Sequence, residues 1–238
     1  MTDISKLKPG DPHYQAYVGP PDQYDFMGAT QFRLLCTLGL RASHRLLDFG
    51  CGSLRAGRLF MAYLDAGNYH GIEPNRWLID DAIRDQVGQD AVDLKKPNFD
   101  YNGDFNTSVF PGGFDFIVAQ SIFSHTGPDL VRQGLQSFRD SLKETGIIAV
   151  TFIHGEQDCD APGWFYAGQP NNRRVTYQPE SILDFAREAG LHTRSIPWYH
   201  PRQQWYLLAR DASRLPSQAL SLHLTGAVLG DPEFADSL

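Results

Sequence analysis

The fold is decided by residues 46–55, which read LLDFGCGSLR. A short apolar strand, predicted over residues 45–49, runs into the turn Gly50-Cys51-Gly52, and a helix is predicted from Arg55. Glycines in such a turn permit unusual backbone angles and let a ligand approach the main chain closely. Because ligands of open α/β sheets bind outside the carboxyl ends of the strands, this turn is the leading candidate for a ligand site.

The same alternation of strand and helix continues along the chain. It predicts an α/β fold, with a doubly wound, mostly parallel sheet and helices on both faces. The last two strands are too close in sequence for a helical crossover, so we expect an antiparallel pair. The result is a seven-stranded sheet with an antiparallel last strand. Strands are predicted at residues 45–49, 69–73, 98–101, 114–119, 147–153, 192–199 and 203–209, and helices at 28–40, 55–63, 77–87, 129–143 and 180–189.

Three segments stand apart from this alternation. Residues 1–27 are polar and rich in proline and glycine but contain three tyrosines, which predicts an N-terminal arm or lid that folds over the rest of the chain. Residues 28–210 form the predicted main domain, interrupted by an insertion at 154–178 that is rich in glycine, proline, asparagine and aromatic residues. Residues 211–238 are a C-terminal extension.

Composition limits the class of protein. The 238 residues are 42% hydrophobic and 21% charged, which is typical of a globular protein rather than a disordered one. No run approaches the ~20 apolar residues of a membrane span, and the N-terminus lacks a secretion signal, so we expect a cytoplasmic protein without membrane contact. A net charge of −7 disfavours a nucleic-acid partner. The three cysteines lack the spacing of a disulfide framework or a zinc site.

The glycine turn differs from two common nucleotide-binding motifs. A dinucleotide fingerprint needs a third glycine where this chain has Arg55, and no P-loop sequence is present. Asp48 would repel a pyrophosphate but attract a ligand that carries a cation.

Asp48-Phe49-Gly50-Cys51-Gly52 resembles the first motif of class I S-adenosylmethionine-dependent methyltransferases. Glu73, at the end of the second predicted strand, resembles the acidic ribose-binding residue of that family, and the antiparallel last strand fits the family's Rossmann-like fold. The resemblance covers approximately residues 28–210. Leu54 departs from the family pattern, in which a third glycine is commonest at this position, and an earlier start of the following helix would accommodate the change.

The resemblance implies that S-adenosylmethionine is the cofactor and assigns residues to its parts. Asp48 would favour the ammonium, Arg55 would pair with the carboxylate, and Glu73 would accept hydrogen bonds from the ribose hydroxyls. Asp104 would receive the adenine amino group and Phe105 would stack on the ring. The full set of cofactor candidates is Asp48, Gly50, Cys51, Gly52, Arg55, Glu73, Pro74, Asn75, Asp104, Phe105, Gln120 and Ser121.

The acceptor is expected near the ends of the fourth and fifth strands. His125 is the first candidate for a general base and His154 the second, although either histidine could instead be structural. Aromatic residues in the loops suggest a lid over the acceptor or, alternatively, a homodimer contact. The acidic group of His154, Glu156, Asp158 and Asp160 is expected to be solvated rather than metal-binding. Candidates for substrate binding are Tyr14, Tyr17, Tyr24, Trp164, Tyr166 and His200.

These features favour a methyltransferase that acts on an oxygen or nitrogen of a small-molecule acceptor. One alternative is an S-adenosylmethionine-binding module that lacks catalysis or acts on a protein partner. A nicotinamide-dependent oxidoreductase is a further alternative, weakened by the missing third glycine of the dinucleotide fingerprint.

Overall fold

A computed structural model describes residues 3–166 and 173–227 of the chain, and its centre is a seven-stranded sheet. The strands are β1 (Leu46–Phe49), β2 (Tyr69–Ile72), β3 (Asn98–Asp100), β4 (Phe114–Ala119), β5 (Leu142–Phe152), β6 (His192–Ile196) and β7 (Gln204–Ala209). Their order across the sheet is β3-β2-β1-β4-β5-β7-β6, and only β7 runs antiparallel to its neighbours. The predicted doubly wound sheet with an antiparallel last strand is confirmed.

Side chains of successive strand residues enter two separate hydrophobic cores. In β1, Leu46 belongs to the core on one face and Leu47 to the core on the other. Trp205 and Tyr206 of β7 divide in the same way, and all four side chains are buried. This period of two arises because neighbouring strand residues point to opposite faces of a sheet. Both faces are therefore covered, as a mostly parallel sheet requires.

The helices form the two outer layers. Helices α2, α3 and α4 contribute buried residues to the first core, and α6 and α7 contribute them to the second. None of the helices within the described residues is long and apolar enough to cross a membrane. The helices are α1 (Tyr14–Tyr17), α2 (Tyr24–Thr37), α3 (Gly57–Tyr63), α4 (Arg76–Ala82), α5 (Gln89–Lys95), α6 (Pro128–Ser141), α7 (Pro179–Glu188) and α8 (Gln218–Ser221), with a π-helical turn at Ile83–Val87.

Several element boundaries differ from the prediction. Helix α6 ends at Ser141, because Leu142 is buried and pairs with Phe114 at the start of β5. Regular pairing with β4 resumes at Ile147, so residues 143–146 bulge out of the strand. Helix α5 was not predicted, since its buried side chains are too few to give a helical hydrophobic period.

The N-terminal arm is shorter than expected. Helix α2 begins at Tyr24, so the predicted domain boundary at residue 28 falls inside a helix. Tyr24 is 1% exposed and belongs to the first core. In the C-terminal extension, the described residues include α8 and the buried Leu215, whereas residues 228–238 lie outside the described part of the chain, as do residues 167–172 of the insertion.

Candidate active site

The glycine turn lies at the carboxyl end of β1 and has a backbone that only glycine adopts readily. Gly50 has a φ of 71° and Gly52 a φ of 53°. A Cβ atom on Gly50 would overlap the side chain of Ile122, and one on Gly52 would lie 2.8 Å from Cγ1 of Val18. The main chain at this turn is therefore open to a ligand and closely packed on its other sides.

Leu54 has a backbone conformation that glycine adopts more readily than leucine. Its φ is 57°, in the left-handed region, and its side chain is completely buried in the first core. The following helix does not start earlier to accommodate the leucine: α3 begins at Gly57, two residues after the predicted start at Arg55. Burial of the leucine side chain offsets the strain of its backbone.

Glu73, directly after β2, is tied to the glycine turn. Its carboxylate accepts hydrogen bonds from the Gly52 amide at 3.1 Å and from the backbone and side-chain nitrogens of Asn75, both at 2.8 Å. Burial raises the pKa of this carboxyl, and the hydrogen bonds from Asn75 and Gly52 oppose that rise. A carboxylate offers about four acceptor positions, so capacity remains for a ligand.

Asp48 is a buried carboxyl beneath the same turn. Burial raises its pKa to about 7, against the hydrogen bond from the Tyr69 hydroxyl at 2.9 Å and the positive charge of Arg55, while the charge of Glu73 adds to the rise. A cation placed beside Asp48 would stabilise its ionised form.

A cavity of about 380 Å³ joins these residues. It brings together most of the predicted cofactor residues: Asp48, Gly50, Cys51, Gly52, Arg55, Glu73, Asn75, Gln120 and Ser121. Of the predicted acceptor residues, His125 and Tyr17 line it. Val18 and Gly19 of the arm also form part of the wall, where the Val18 carbonyl accepts a hydrogen bond from Arg55 Nη1 at 3.2 Å.

Gln120 supplies a polar group that the protein leaves unpaired. The residue is 8% exposed, and neither its Oε1 nor its Nε2 atom has a hydrogen-bond partner among the described residues. Burial of an amide without partners is costly, and the side chain lines the cavity. This residue therefore fits a ligand with donor and acceptor groups.

His125 lines the cavity just after β4. Its Nδ1 atom lies 3.3 Å from the carbonyl oxygen of Phe165, which can only accept, so the hydrogen bond places the proton on Nδ1 and leaves Nε2 as an acceptor. Burial lowers the pKa of the imidazole, and the charges of Arg174 and Arg202 lower it further, against the hydrogen bond to Phe165. The ring is consequently neutral at physiological pH.

His154 does not line the cavity. Its Nε2 atom forms a 2.6 Å hydrogen bond with the Tyr206 hydroxyl, and its backbone bridges to Tyr177. The neighbouring Ile153 lines the cavity instead. In the acidic group next to it, Asp158 accepts hydrogen bonds from the Gln178 amide and the Ser181 hydroxyl at the start of α7.

The predicted adenine contacts are also displaced. Phe105 is 1% exposed, and its ring is stacked between Phe49, 4.7 Å away, and Trp164, 5.4 Å away. Neither face of this ring is free for a base. Asp104 is exposed and accepts a hydrogen bond from the Asn106 amide, and Pro74 is exposed; neither lines the cavity.

Five of the predicted substrate-binding residues lie outside the cavity. Tyr14 and Tyr24 are buried in the first core, where the Tyr24 hydroxyl donates to the Ser53 carbonyl at 2.7 Å. Trp164 covers Phe105, and Tyr166 packs against Trp164. His200 lies behind the wall, where its Nε2 atom is 3.4 Å from the Ser121 hydroxyl.

The prediction missed several residues that line the cavity together with His125. Arg174 comes from the insertion, and Arg202 and Gln203 come from the turn between β6 and β7. No motif marks them, and the only signal in the sequence was that both segments follow strands whose carboxyl ends face the site. Pro9 and Gly10 of the arm also line the cavity and were missed because no motif marks them.

Comparison with known proteins gives a consistent result. Residues 47–148 match a family model described as a methyltransferase domain. A TehB-like SAM-dependent methyltransferase from Corynebacterium glutamicum is 18% identical, with a TM-score of 0.54, over 76% of this chain and 88% of that one. No curated protein matches the sequence.

Two further structures have the same fold at lower identity. Magnesium protoporphyrin IX methyltransferase from Synechocystis, solved with bound SAH, is 11% identical with a TM-score of 0.58 over 80% of this chain and 84% of its own. The CcbJ methyltransferase from Streptomyces caelestis is 14% identical with a TM-score of 0.58, over 81% of this chain and 97% of its own.

Proposed function

We propose that this chain, whose residues 47–148 match a methyltransferase domain, is a class I S-adenosylmethionine-dependent methyltransferase that transfers a methyl group to an oxygen or nitrogen of a small-molecule acceptor. The observation that carries this proposal is one cavity in which the glycine turn, Asp48, Glu73, the unpaired amide of Gln120 and His125 converge. The magnesium protoporphyrin and CcbJ enzymes, which share the fold, are named as methyltransferases, the former of a porphyrin.

The residues of the cavity fit S-adenosylmethionine. Asp48 would hold the ammonium, Arg55 the carboxylate, and the remaining acceptor positions of Glu73 the ribose hydroxyls. Gly50 and Gly52 place their main chain in the cavity wall, where the cofactor could approach it, and Gln120 would gain the partners that it lacks. When bound, the cofactor supplies an electrophilic methyl group on a sulfonium, whose C–S bond breaks with its electron pair left on sulfur.

His125 is proposed as the general base. Its neutral ring presents an unprotonated Nε2 atom, which would take the proton that the acceptor's oxygen or nitrogen loses. The N-terminal arm, from residue 3 to the start of α2, is proposed as a lid, since Val18 and Gly19 lie in the cavity wall and would exclude water from the glycine turn.

The cofactor site is tested by calorimetric titration with S-adenosylhomocysteine. We expect the wild type to bind and Glu73→Ala to bind at least tenfold more weakly, since a charged hydrogen bond contributes about 1.5–3 kcal/mol. Glu156→Ala is the matched control, because this carboxylate is exposed and does not line the cavity. Equal affinity in a folded Glu73→Ala variant would remove Glu73 from the cofactor site.

The transfer step is tested in the same preparation with His125→Ala. Formation of S-adenosylhomocysteine from S-adenosylmethionine in the presence of a metabolite extract is expected to fall about 10²–10⁴-fold, with unchanged affinity for S-adenosylhomocysteine. A folded variant with full activity would contradict the role of His125 as base. A wild type that binds the cofactor but produces nothing with any extract would instead support a binding module.

A further inference from the structure

Two arginines stand at the acceptor end of the cavity. Arg174 and Arg202 both line it, together with His125. They come from segments 28 residues apart in the sequence, yet both approach the loop that follows β4. Burial lowers the pKa of Arg202 and the charge of Arg174 lowers it further, while burial and then the charges of both arginines lower the pKa of His125.

Backbone hydrogen bonds fix the position of Arg174. The amide of the next residue, Val175, donates to the Ser124 carbonyl at 2.9 Å, and Val175 itself is buried in the second core. Two residues further on, the Tyr177 hydroxyl donates to the Thr126 carbonyl at 2.7 Å. The backbone that follows Arg174 is thus held beside Ser124 and Thr126, the two neighbours of His125 in sequence.

The position of Arg202 depends on His200. The Nδ1 atom of His200 accepts hydrogen bonds from the amides of Arg202 at 3.2 Å and Gln203 at 3.1 Å. The side chain of Gln203 donates to the Ser121 hydroxyl at 2.8 Å, which ties the turn to the end of β4. Burial and the charge of Arg55 lower the pKa of His200 to about 3, so this histidine remains neutral and orders the turn without adding charge.

No carboxylate pairs with either guanidinium among the described residues. The neighbouring Arg173, in contrast, does have partners. Its guanidinium lies 3.9 Å from the carboxylate of Asp160 and over the ring of Phe165. The acids that line the cavity are Asp48 and Glu73, and both are already hydrogen-bonded at the glycine turn. The acceptor end therefore has two positive charges without a balancing negative group from the described chain.

We propose that Arg174 and Arg202 bind an oxyanion of the methyl acceptor, so that the acceptor is a carboxylate or a phosphate ester. The planar guanidinium fork matches both kinds of oxyanion and gives paired hydrogen bonds. An acceptor held by its oxyanion at this wall presents its remaining part to Nε2 of His125. The inference rests on the proposed function, because it assigns the acceptor of that same site.

The test measures binding of simple probes to the enzyme loaded with S-adenosylhomocysteine. Benzoate and phenyl phosphate are the anionic probes and benzamide is the neutral counterpart, with affinities measured by calorimetry or saturation-transfer NMR. We expect at least one anion to bind the wild type more tightly than benzamide, and the double variant Arg174→Gln/Arg202→Gln to weaken that binding about tenfold. Preference for one anion identifies the carboxylate or the phosphate ester as the source.

Arg173→Gln is the matched control, since Arg173 belongs to the same segment but does not line the cavity. Its affinity for the anions is expected to stay within twofold of the wild type. The inference is overturned if neither anion binds better than benzamide, or if Arg173→Gln loses as much affinity as the double variant. Failure of the wild type to bind S-adenosylhomocysteine would reject the proposed function itself, which distinguishes the two results.

Discussion

Asp48 shows how a single buried carboxyl couples ligand binding to pH. Its pKa is raised to about 7 chiefly by burial, so near neutral pH the unliganded protein holds a mixture of the protonated and ionised forms. A ligand ammonium beside it favours the ionised form and lowers the pKa. Binding must then release a proton.

We expect the affinity for S-adenosylhomocysteine to rise between pH 6 and pH 8, because fewer molecules carry a protonated Asp48 at the higher pH. Calorimetry in buffers of different ionisation enthalpy should detect the released proton at pH 7. Asp48→Asn should bind more weakly and lose the proton release. The same slope in Asp48→Asn would assign the coupling to another group.

The folded-state pKa of Asp48 also has a consequence for stability. Because the folded-state pKa lies above the ordinary value of 3.8, the contribution of Asp48 to the stability of the unliganded fold is fully present below about pH 3.8, and it is lost progressively as the pH rises from there to about 7. Asparagine is neutral at every pH, so Asp48→Asn should lack this part of the pH dependence. The measurement is the free energy of unfolding of the wild type and of Asp48→Asn as a function of pH.

Leu54 provides a prediction about backbone strain. An L-residue in the left-handed region costs roughly 1–2 kcal/mol, which glycine does not incur. Leu54→Ala and Leu54→Gly lose the same buried contacts, at about 2–5 kcal/mol for the truncation to alanine. We expect Leu54→Gly to be the more stable of the two by about 1 kcal/mol in urea denaturation.

Leu64 is the control for this comparison. It is equally buried, but its φ is −73°, where alanine is no more strained than glycine. Leu64→Gly should be less stable than Leu64→Ala, which is the usual order. The same order at both positions would mean that the backbone at Leu54 relaxes when the side chain is removed.

At the scale of elements, the sequence predicted what local patterns determine. The apolar run of β4 was located to the residue, since six residues with buried neighbours on both faces carry a strong strand signal. The end of α6 was predicted at residue 143 rather than 141, because Leu142 already pairs with Phe114 and residues 143–146 lie in a bulge of β5. The glycine turn, Glu73 and Gln120 were found because each directly follows a strand.

Residues whose position depends on packing between distant segments could not be found in this way. Phe105 follows β3 as the resemblance suggests, but Trp164 from the insertion covers its ring. Arg174 and Arg202 reach the cavity only because Val175 pairs with Ser124 and His200 orders its turn. Neither arrangement produces a hydrophobic periodicity or a motif with a fixed spacing that could be recognised in the sequence.

At the scale of the whole molecule, three segments outside the alternating strands and helices meet at one edge of the sheet. The arm contributes Val18, the insertion contributes Arg174, and the β6–β7 turn contributes Arg202. The sheet itself supplies Asp48, Glu73 and Gln120 from strand ends. The strand ends thus carry the residues proposed to bind the cofactor, and the added segments contribute the part of the wall proposed to bind the acceptor.

Removal of residues 1–12 tests the contribution of the arm. The described side chains of residues 3–12 are exposed or only partly buried, whereas Tyr14 and Ala16 are buried, so this truncation spares the core. We expect a melting temperature within about 3 °C of the wild type, a shift that corresponds to less than about 1 kcal/mol. Dissociation of S-adenosylhomocysteine, followed by stopped flow, should be several-fold faster, because Pro9 and Gly10 leave the wall. An unchanged dissociation rate would contradict the role of residues 1–12 in closing the cavity.

Val18 of the arm lies beside Gly52, and its carbonyl accepts a hydrogen bond from Arg55, so the position of the arm bears on the release of product between turnovers. If the arm closes the cavity as proposed, S-adenosylhomocysteine would leave slowly, and while bound it would compete with the next molecule of methyl donor. Such an enzyme is sensitive to its own by-product: its output depends on how quickly another activity in the cell degrades S-adenosylhomocysteine. The rate of methyl transfer would then depend on the ratio of S-adenosylmethionine to S-adenosylhomocysteine around the enzyme, rather than on the concentration of S-adenosylmethionine alone.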